Sequence, residues 1–406
     1  KLPIMALTKT KAQLAAEILG GNRKGQNFDD EFQFPILDCI SLNKYKHIAD
    51  WYRNPENHDY TKSQDDVMVA GVPHTFSWGG GHGAIPKYHA KGDFLIVDVT
   101  AYYPSLQKQY HFGYRVMDNP ENFEFIHDSN IAFKRKGDKK ARLPFKIMDN
   151  AISGQMKQKQ SALYDPMSNN SICINGQLLL LDLIEHLEVV PGFQLIQSNT
   201  DGLIIQIPDT DEAFYRVDDI CFDWEKRCST KICSILLELD TIAEIYQKDV
   251  NNYLWIDANG KVERKGAYVK QLSRIDNDLP ILNTALVNFM VDHVPVERTI
   301  NSCDDVIQFQ KVVKLSDKYK WVEHERLDGN NEEYTYKSYR VFASKDPNDG
   351  RLLKCGGSRG KPEKFANTPD HCFILNDSVN GCTVPDTLDR NWYIELAKKR
   401  LKDFGL

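Results

Sequence analysis

The sequence predicts an α+β fold, and three stretches carry that prediction. "FLIVDVTAYYPSL" (94–106) opens as a short apolar strand, Phe94 to Val97, and ends with Pro104, which suits the first turn of a helix. "ICINGQLLLLDLIEHLEVV" reads as a long buried helix stopped by Pro191-Gly192. Two apolar strands follow, "FQLIQS" and "LIIQIP", around the turn "NTDG" (199–202).

The remaining elements can be taken in chain order. Residues 1–75 are polar and mixed, with helical spacing in "TKAQLAAEIL" and aromatic loops after it. "TFSWGGGHGAIPKY" supplies a glycine-dense turn, in which His82 reads as a turn residue. Residues 120–164 read as two helices joined by the basic loop "KRKGDKKAR" (134–142), the second starting at Pro144. On that second helix Phe145, Met148, Ile152 and Met156 form an apolar stripe, and Lys146, Asn150, Ser153 and Lys157 form a polar one opposite. "YLWIDANGKVERKGAYVK" predicts a hairpin with a type I′ turn at Asn259-Gly260. Residues 280–406 mix helices and strands and close on an amphipathic helix, "DRNWYIELAKKRLKDF". No fixed-period repeat occurs, which excludes a solenoid.

Composition excludes several classes of function. At 406 residues the chain is long for one domain and natural for two or three, and 41% apolar with 27% charged residues is ordinary for a globular protein. No run reaches the ~18 apolar residues of a membrane span, and no signal peptide is visible. Nine cysteines without a C-x-x-C pair argue for reduced thiols in a cytoplasm and against a zinc site. The net charge of −6 counts against a protein coated in nucleic acid. Three basic stretches, 134–142, 354–364 and 397–402, nevertheless suggest a polyanion held in a defined channel. No H-E-x-x-H, P-loop or G-x-S-x-G motif occurs, and the eleven histidines are dispersed.

The candidate chemistry lies in two aspartates at the ends of apolar strands, Asp98 and Asp201. Each has a plain alternative: Asp98 fits a helix cap, and Asp201 with Gly202 fits a hairpin turn. If both strands share one sheet, the two carboxylates reach the same edge and can hold a pair of Mg²⁺ ions for phosphoryl transfer.

These stretches resemble the motifs of family B DNA polymerases, with finer resemblance to those of bacteriophages. "DVTAYYPSL" is similar to motif A, "KIMDNAISG" to the motif B helix, "NTDGLII" to motif C, and "KGAY" (265–268) to the K-x-Y element that follows. "WGGGHG" loosely resembles the aromatic-x-G-G element ahead of motif A, and order and spacing agree over residues 76–270.

The resemblance implies a right-hand polymerase with an antiparallel-sheet palm, two-helix fingers and a mixed thumb. Its parts would be an N-terminal segment packing on the palm (1–75), palm (76–118), fingers (119–164), palm again (165–275) and thumb (276–406). It implies template-directed addition of dNMP to a primer 3′-hydroxyl, with two Mg²⁺ ions, for which Mn²⁺ can substitute. Asp98 and Asp201 would be the catalytic metal ligands, assisted by the Val99 carbonyl, and Tyr103 would be the gate that excludes a 2′-hydroxyl. Lys146 and Asn150 would meet the nucleotide, with Arg135 and Lys139 as further phosphate ligands. Gly80, Gly81, Gly154, Lys265 and Tyr268 would contact primer and template. Implied partners are primer-template DNA, dNTPs and viral replication proteins, with no membrane, in the host cytoplasm.

The chain departs from the family pattern at three places: Asn199 replaces the first Asp of motif C, Ser153 the motif B tyrosine and Tyr102 the leucine beside the gate. "FDDEF" (28–32) contains the D-x-E of a proofreading exonuclease but reads as a solvated acidic loop, so polymerisation without proofreading is expected. Two alternatives remain: a template-independent or primer-making nucleotidyltransferase, and an inactive DNA-binding subunit.

Overall fold

The computed structural model describes residues 9–23, 27–273, 276–358 and 360–406. Residues 1–8 and Arg359 of the basic loop 354–364 therefore lie outside the described residues. The chain mixes helices with a large antiparallel sheet. It divides into two compact units, residues 1–85 with 92–243, and residues 86–91 with 244–406.

In chain order the first unit holds helices α1 (Lys11–Ile18) and α2 (Lys46–Arg53), then strands β1 (Ser63–Val69), β2 (Val72–Ser77) and β3 (Gly80–Ala84). Strand β4 (Tyr88–Val99) leads into helices α3 (Tyr102–Tyr110), α4 (Pro120–Arg135), α5 (Lys139–Gln155) and α6 (Pro166–Leu187). Strands β5 (Gln194–Ser198) and β6 (Gly202–Gln206), helix α7 (Asp211–Cys228) and strand β7 (Leu237–Asp249) complete it. The strands lie in the order β1-β2-β3-β5-β6-β4-β7, and β4 and β7 continue into the second unit.

Helix α6 explains how a loop-rich N-terminal segment is held. Nearly all of its residues are buried, including polar ones that a buried helix must satisfy through side-chain partners. Asn175 accepts from the Leu37 N–H at 3.0 Å and donates to the Pro35 carbonyl at 2.8 Å. Asp182 accepts from the Ser41 N–H at 2.8 Å, and Gln177 accepts from the Tyr52 hydroxyl at 2.8 Å. Around this helix Leu178, Leu181, Val97, Ile205 and Trp224 close one apolar core.

Three expectations are corrected in this unit, the first of them in part. Within the acidic stretch 28–32 Phe28 and Asp29 are exposed, but Asp30 is engaged: Arg115 bridges Asp30 at 2.5 Å and the fully buried Asp165 at 2.6 Å. Helix α5 starts at Lys139, capped by Asp138 accepting from the Ala141 N–H at 3.0 Å, so Pro144 lies inside the helix instead of opening it. His82 is likewise an exposed residue within β3, not part of a turn.

The second unit contains the hairpin β8 (Asn252–Ile256) and β9 (Val262–Lys265), helices α8 (Pro280–Asp292) and α9 (Val296–Asn301), and a closing helix, α10 (Arg390–Asp403). Between α9 and α10 run β10 (Lys311–Lys314), β11 (Trp321–Arg326), β12 (Glu332–Tyr334), β13 (Ser338–Ala343), β14 (Asp349–Cys355), β15 (Glu363–Lys364) and β16 (Cys372–Ile374). They form two small sheets, β10-β13-β16 and β12-β11-β14-β15.

The β8–β9 hairpin forms as expected, but its turn is not type I′. Gly260 has φ +79° whereas Asn259 does not turn left-handed, and the Asp257 carboxylate closes the loop by accepting from the Asn259 and Lys261 N–H groups, each at 2.8 Å.

Candidate active site

Strand β4 delivers its carboxylate to a point fixed by register. Asp98 stands opposite Gly202, the first residue of β6, and the Val99 N–H donates to the Asp201 carbonyl at 2.8 Å. The Asp98 carboxylate leans over the Gly202 Cα, so that a methyl group on residue 202 would overlap its Oδ1. Asp201 lies in the loop of the β5–β6 hairpin, as the turn alternative has it, but neither Asp201 nor Gly202 adopts a positive φ, so the turn does not call for a left-handed glycine there. Gly202 serves close approach instead. Just beyond the same end of β4 Ala101, at φ +45°, turns the chain into α3.

A cleft of about 400 Å³ opens at this edge. Its acidic lining residues are Asp98, Asp201 and Glu238 of β7; its basic ones are Lys134 of α4 with Arg142 and Lys146 of α5. Val99, Tyr103, Asn150 and Ser153 also line it. Lys134 donates to the Thr100 hydroxyl at 3.2 Å and forms an ion pair with Glu238. Arg142 donates to the Asn130 side-chain oxygen at 2.9 Å, and Asn130 in turn donates to buried Asp149 at 2.8 Å. Lys134 and Arg142 are thus oriented by neighbouring side chains.

Burial is the main cause that raises the Asp98 carboxyl from 3.8 to about 6; the charges of Asp201, Glu238 and Asp240 add to it, and Lys134 opposes it. The acidic residues therefore carry charge that the protein alone leaves undercompensated. Hard oxygen donors with such an excess suit Mg²⁺, which is held by one or two carboxylates together with substrate phosphates. Among the described residues no group of three His, Cys, Asp or Glu side chains could by itself hold a metal ion.

Tyr103 lies flat against α6. A Cβ on Gly176 would stand 2.7 Å from its ring, and its hydroxyl is buried without a hydrogen-bond partner. Tyr102 beside it donates to the Gly176 carbonyl at 2.8 Å. Gly80 adjoins the same wall, since a Cβ there would sit 3.6 Å from Thr200 and 3.8 Å from the Tyr103 hydroxyl. Gly81 answers to packing, because a Cβ would meet the Phe76 ring at 2.7 Å. Gly154 faces open space. Asn199 is turned into its own loop, accepting from the Thr200 N–H at 2.9 Å.

Several expected residues are placed elsewhere. Arg135 and Lys139 do not line the cleft, because α4 ends at Arg135 and Gly137, at φ +68°, reverses the chain before α5 begins. Their helical i, i+4 relation does not exist. Lys265 and Tyr268 belong to the second unit. There Lys265 lies over the Tyr253 ring at 5.5 Å, and Tyr268 sits under the Arg400 guanidinium at 4.3 Å.

Sequence reasoning missed Lys134, Arg142 and Glu238. A signal existed for the last: "LELD" places Glu238 and Asp240 two apart on one strand face, beside apolar partners.

No helix among the described residues is long and apolar enough to cross a membrane. No protein-family model matches the chain, and no curated protein matches it. Among solved structures it is similar to the family B DNA polymerase of the hyperthermophilic archaeon Pyrobaculum calidifontis, with a TM-score of 0.46 and 12% identity over 86% of this chain. The chain spans about half of that polymerase, covering 48% of its length.

Proposed function

We propose that this chain is a template-directed DNA polymerase of the family B type, which adds dNMP to a primer 3′-hydroxyl. The observation that supports this reading best is the meeting of Asp98 and Asp201 at the ends of adjacent strands, in one cleft with Lys134, Arg142 and Lys146. Carboxylates and cations lining one cleft suit a triphosphate bound through metal ions.

Asp98 and Asp201, with the Val99 carbonyl, would hold two Mg²⁺ ions. Those ions supply charge neutralisation at the triphosphate and a more nucleophilic 3′-oxygen. The residues of the chain do the rest. Lys134, Arg142 and Lys146 hold the triphosphate in line, so that the 3′-oxygen attacks the α-phosphorus while the bond to the β-phosphate breaks and pyrophosphate leaves. Tyr103, backed by Gly176, cannot retreat from the sugar and so disfavours a 2′-hydroxyl. Lys134, paired with Glu238 in the free chain, would meet phosphate instead, and Glu238 would then be available as a third carboxylate. Asp30, engaged by Arg115, does not act as an exonuclease ligand, and these 406 residues extend primers without proofreading of their own.

Primer extension tests the reading. With primer-template and Mg²⁺ the expected products lengthen in template order with dNTPs; rNTPs, EDTA or an absent template suppress them. Template-independent addition, or retained DNA with no incorporation, would falsify the reading in favour of another transferase or an inactive binding subunit.

A further inference from the structure

A thiol, an imidazole and a carboxylate from three elements of the first unit stand in line. Cys233 lies in the loop between α7 and β7, His127 on α4 and Asp149 on α5. His127 Nδ1 is 3.1 Å from Asp149 Oδ2, and its Nε2 is 3.9 Å from the Cys233 sulfur, within hydrogen-bonding reach for sulfur. The sulfur also approaches the Ser234 carbonyl at 3.7 Å. None of the three residues lines the candidate active site.

Each member is held in place. His127 and Asp149 are buried, and the Asp149 carboxylate also accepts from Asn130 at 2.8 Å. A buried carboxylate accepts, so Nδ1 of the imidazole donates to it and Nε2 is left for the sulfur. The loop fixes Cys233: the Thr230 N–H donates to its carbonyl at 3.0 Å, and the Ile235 N–H donates to the Ser229 hydroxyl at 2.9 Å. Cys233 is partly exposed, whereas the other two are closed to solvent. A reagent can thus reach the sulfur but not the base behind it.

We propose that Cys233, His127 and Asp149 form a modification site: a base-assisted thiol that low-molecular-weight disulfides convert to a mixed disulfide. Nucleophile, base and the group that orients the base stand in the order that activation of a thiol requires. Electrostatics agrees with the geometry. Burial works to lower the His127 imidazole, but its hydrogen bonds to Asp149 and Cys233 outweigh it and raise the group from 6.5 to about 9. An imidazole that basic keeps the thiol proton once it has taken it.

His127 Nε2 takes the Cys233 proton, and the sulfur attacks one sulfur of the reagent. The reagent's S–S bond breaks as the new one forms, and its second half leaves as a thiolate that takes the proton back from the imidazole. Cys233 is oxidised and that second half is reduced to a free thiol; no other co-reactant enters. The site stands independently of the proposed polymerase reading.

The experiment incubates the full chain with glutathione disulfide at pH 7, quenches aliquots with N-ethylmaleimide and maps peptides without reduction. Residue 233 is compared with Cys382, which is more exposed. An unassisted thiol is only a few per cent thiolate at pH 7, and a sulfur relieved of its proton gives back part of that gain in intrinsic nucleophilicity, so residue 233 should be modified about tenfold faster. Exposure alone predicts the reverse order. His127→Gln and Asp149→Asn should each bring the ratio down to about one or below, with the rate at Cys382 unchanged. Equal or slower modification of residue 233 in the wild type, or a tenfold ratio kept in either folded variant, overturns the proposal. If neither variant folds, the wild-type ratio decides the matter.

Discussion

Asp98 shows how one residue reads differently alone and in place. Its position at the end of an apolar strand was legible in the sequence, as was its pairing in kind with Asp201. The register that sets it against Gly202 was not, because strand pairing depends on contacts between residues about a hundred positions apart. Gly202→Ala is expected to displace the Asp98 carboxylate and lower primer extension about 100-fold, with the fold intact by circular dichroism. Extension at the wild-type rate would show that this approach has no part in the chemistry.

The same carboxylate gives a pH dependence. Asp98 titrates at about 6 in the folded chain against 3.8 ordinarily, so the folded state binds its proton more tightly than the unfolded state. Its contribution to stability is present below about pH 4 and is lost as the pH rises through about 6. Asp98→Asn is therefore expected to stabilise the metal-free chain near pH 7.5, by about 1 kcal/mol once the solvent exposure of Asp98 is allowed for, and to match the wild type below about pH 4. Millimolar Mg²⁺ should raise the wild-type midpoint more than that of the variant. Thermal scans across pH check this, and equal midpoints near pH 7.5 would contradict it.

At the scale of elements, most helices and strands follow from periodicity, and the misreadings cluster where side chains override it. Pro144 looked like a helix start, yet Asp138 caps the helix upstream of it. The basic run 134–142 looked like one face, yet Gly137 divides it, turning Lys134 and Arg142 inward in place of Arg135 and Lys139. Asp30 looked solvated because its partner Arg115 is 85 residues away.

That ion triad joins the N-terminal segment to the start of α6, where Asp165 also accepts from the Ser168 N–H at 3.2 Å. Arg115→Ala leaves the Asp165 carboxylate buried without its cation and should cost about 3–5 kcal/mol in urea unfolding. Asp30→Asn, which keeps the Arg115–Asp165 pair, should cost about 1 kcal/mol. Similar losses in the two variants would remove the buried pair as the cause.

For the molecule as a whole, the sequence showed a mixed α and β chain long enough for more than one domain, and a net charge of −6 that localises any polyanion site. It did not show where the units divide. The division at 243/244 falls inside the 13-residue strand β7, with no glycine or proline to mark it, and Lys265 and Tyr268 lie beyond it. The candidate site, by contrast, is drawn wholly from the first unit.

The most direct test of the central claim is primer extension by Asp98→Ala and Asp201→Ala, read beside primer-template binding by fluorescence anisotropy. Both variants should lose Mg²⁺-dependent incorporation while binding DNA about as tightly as the wild type. Undiminished incorporation in either one would contradict the assignment of these carboxylates to the reacting centre.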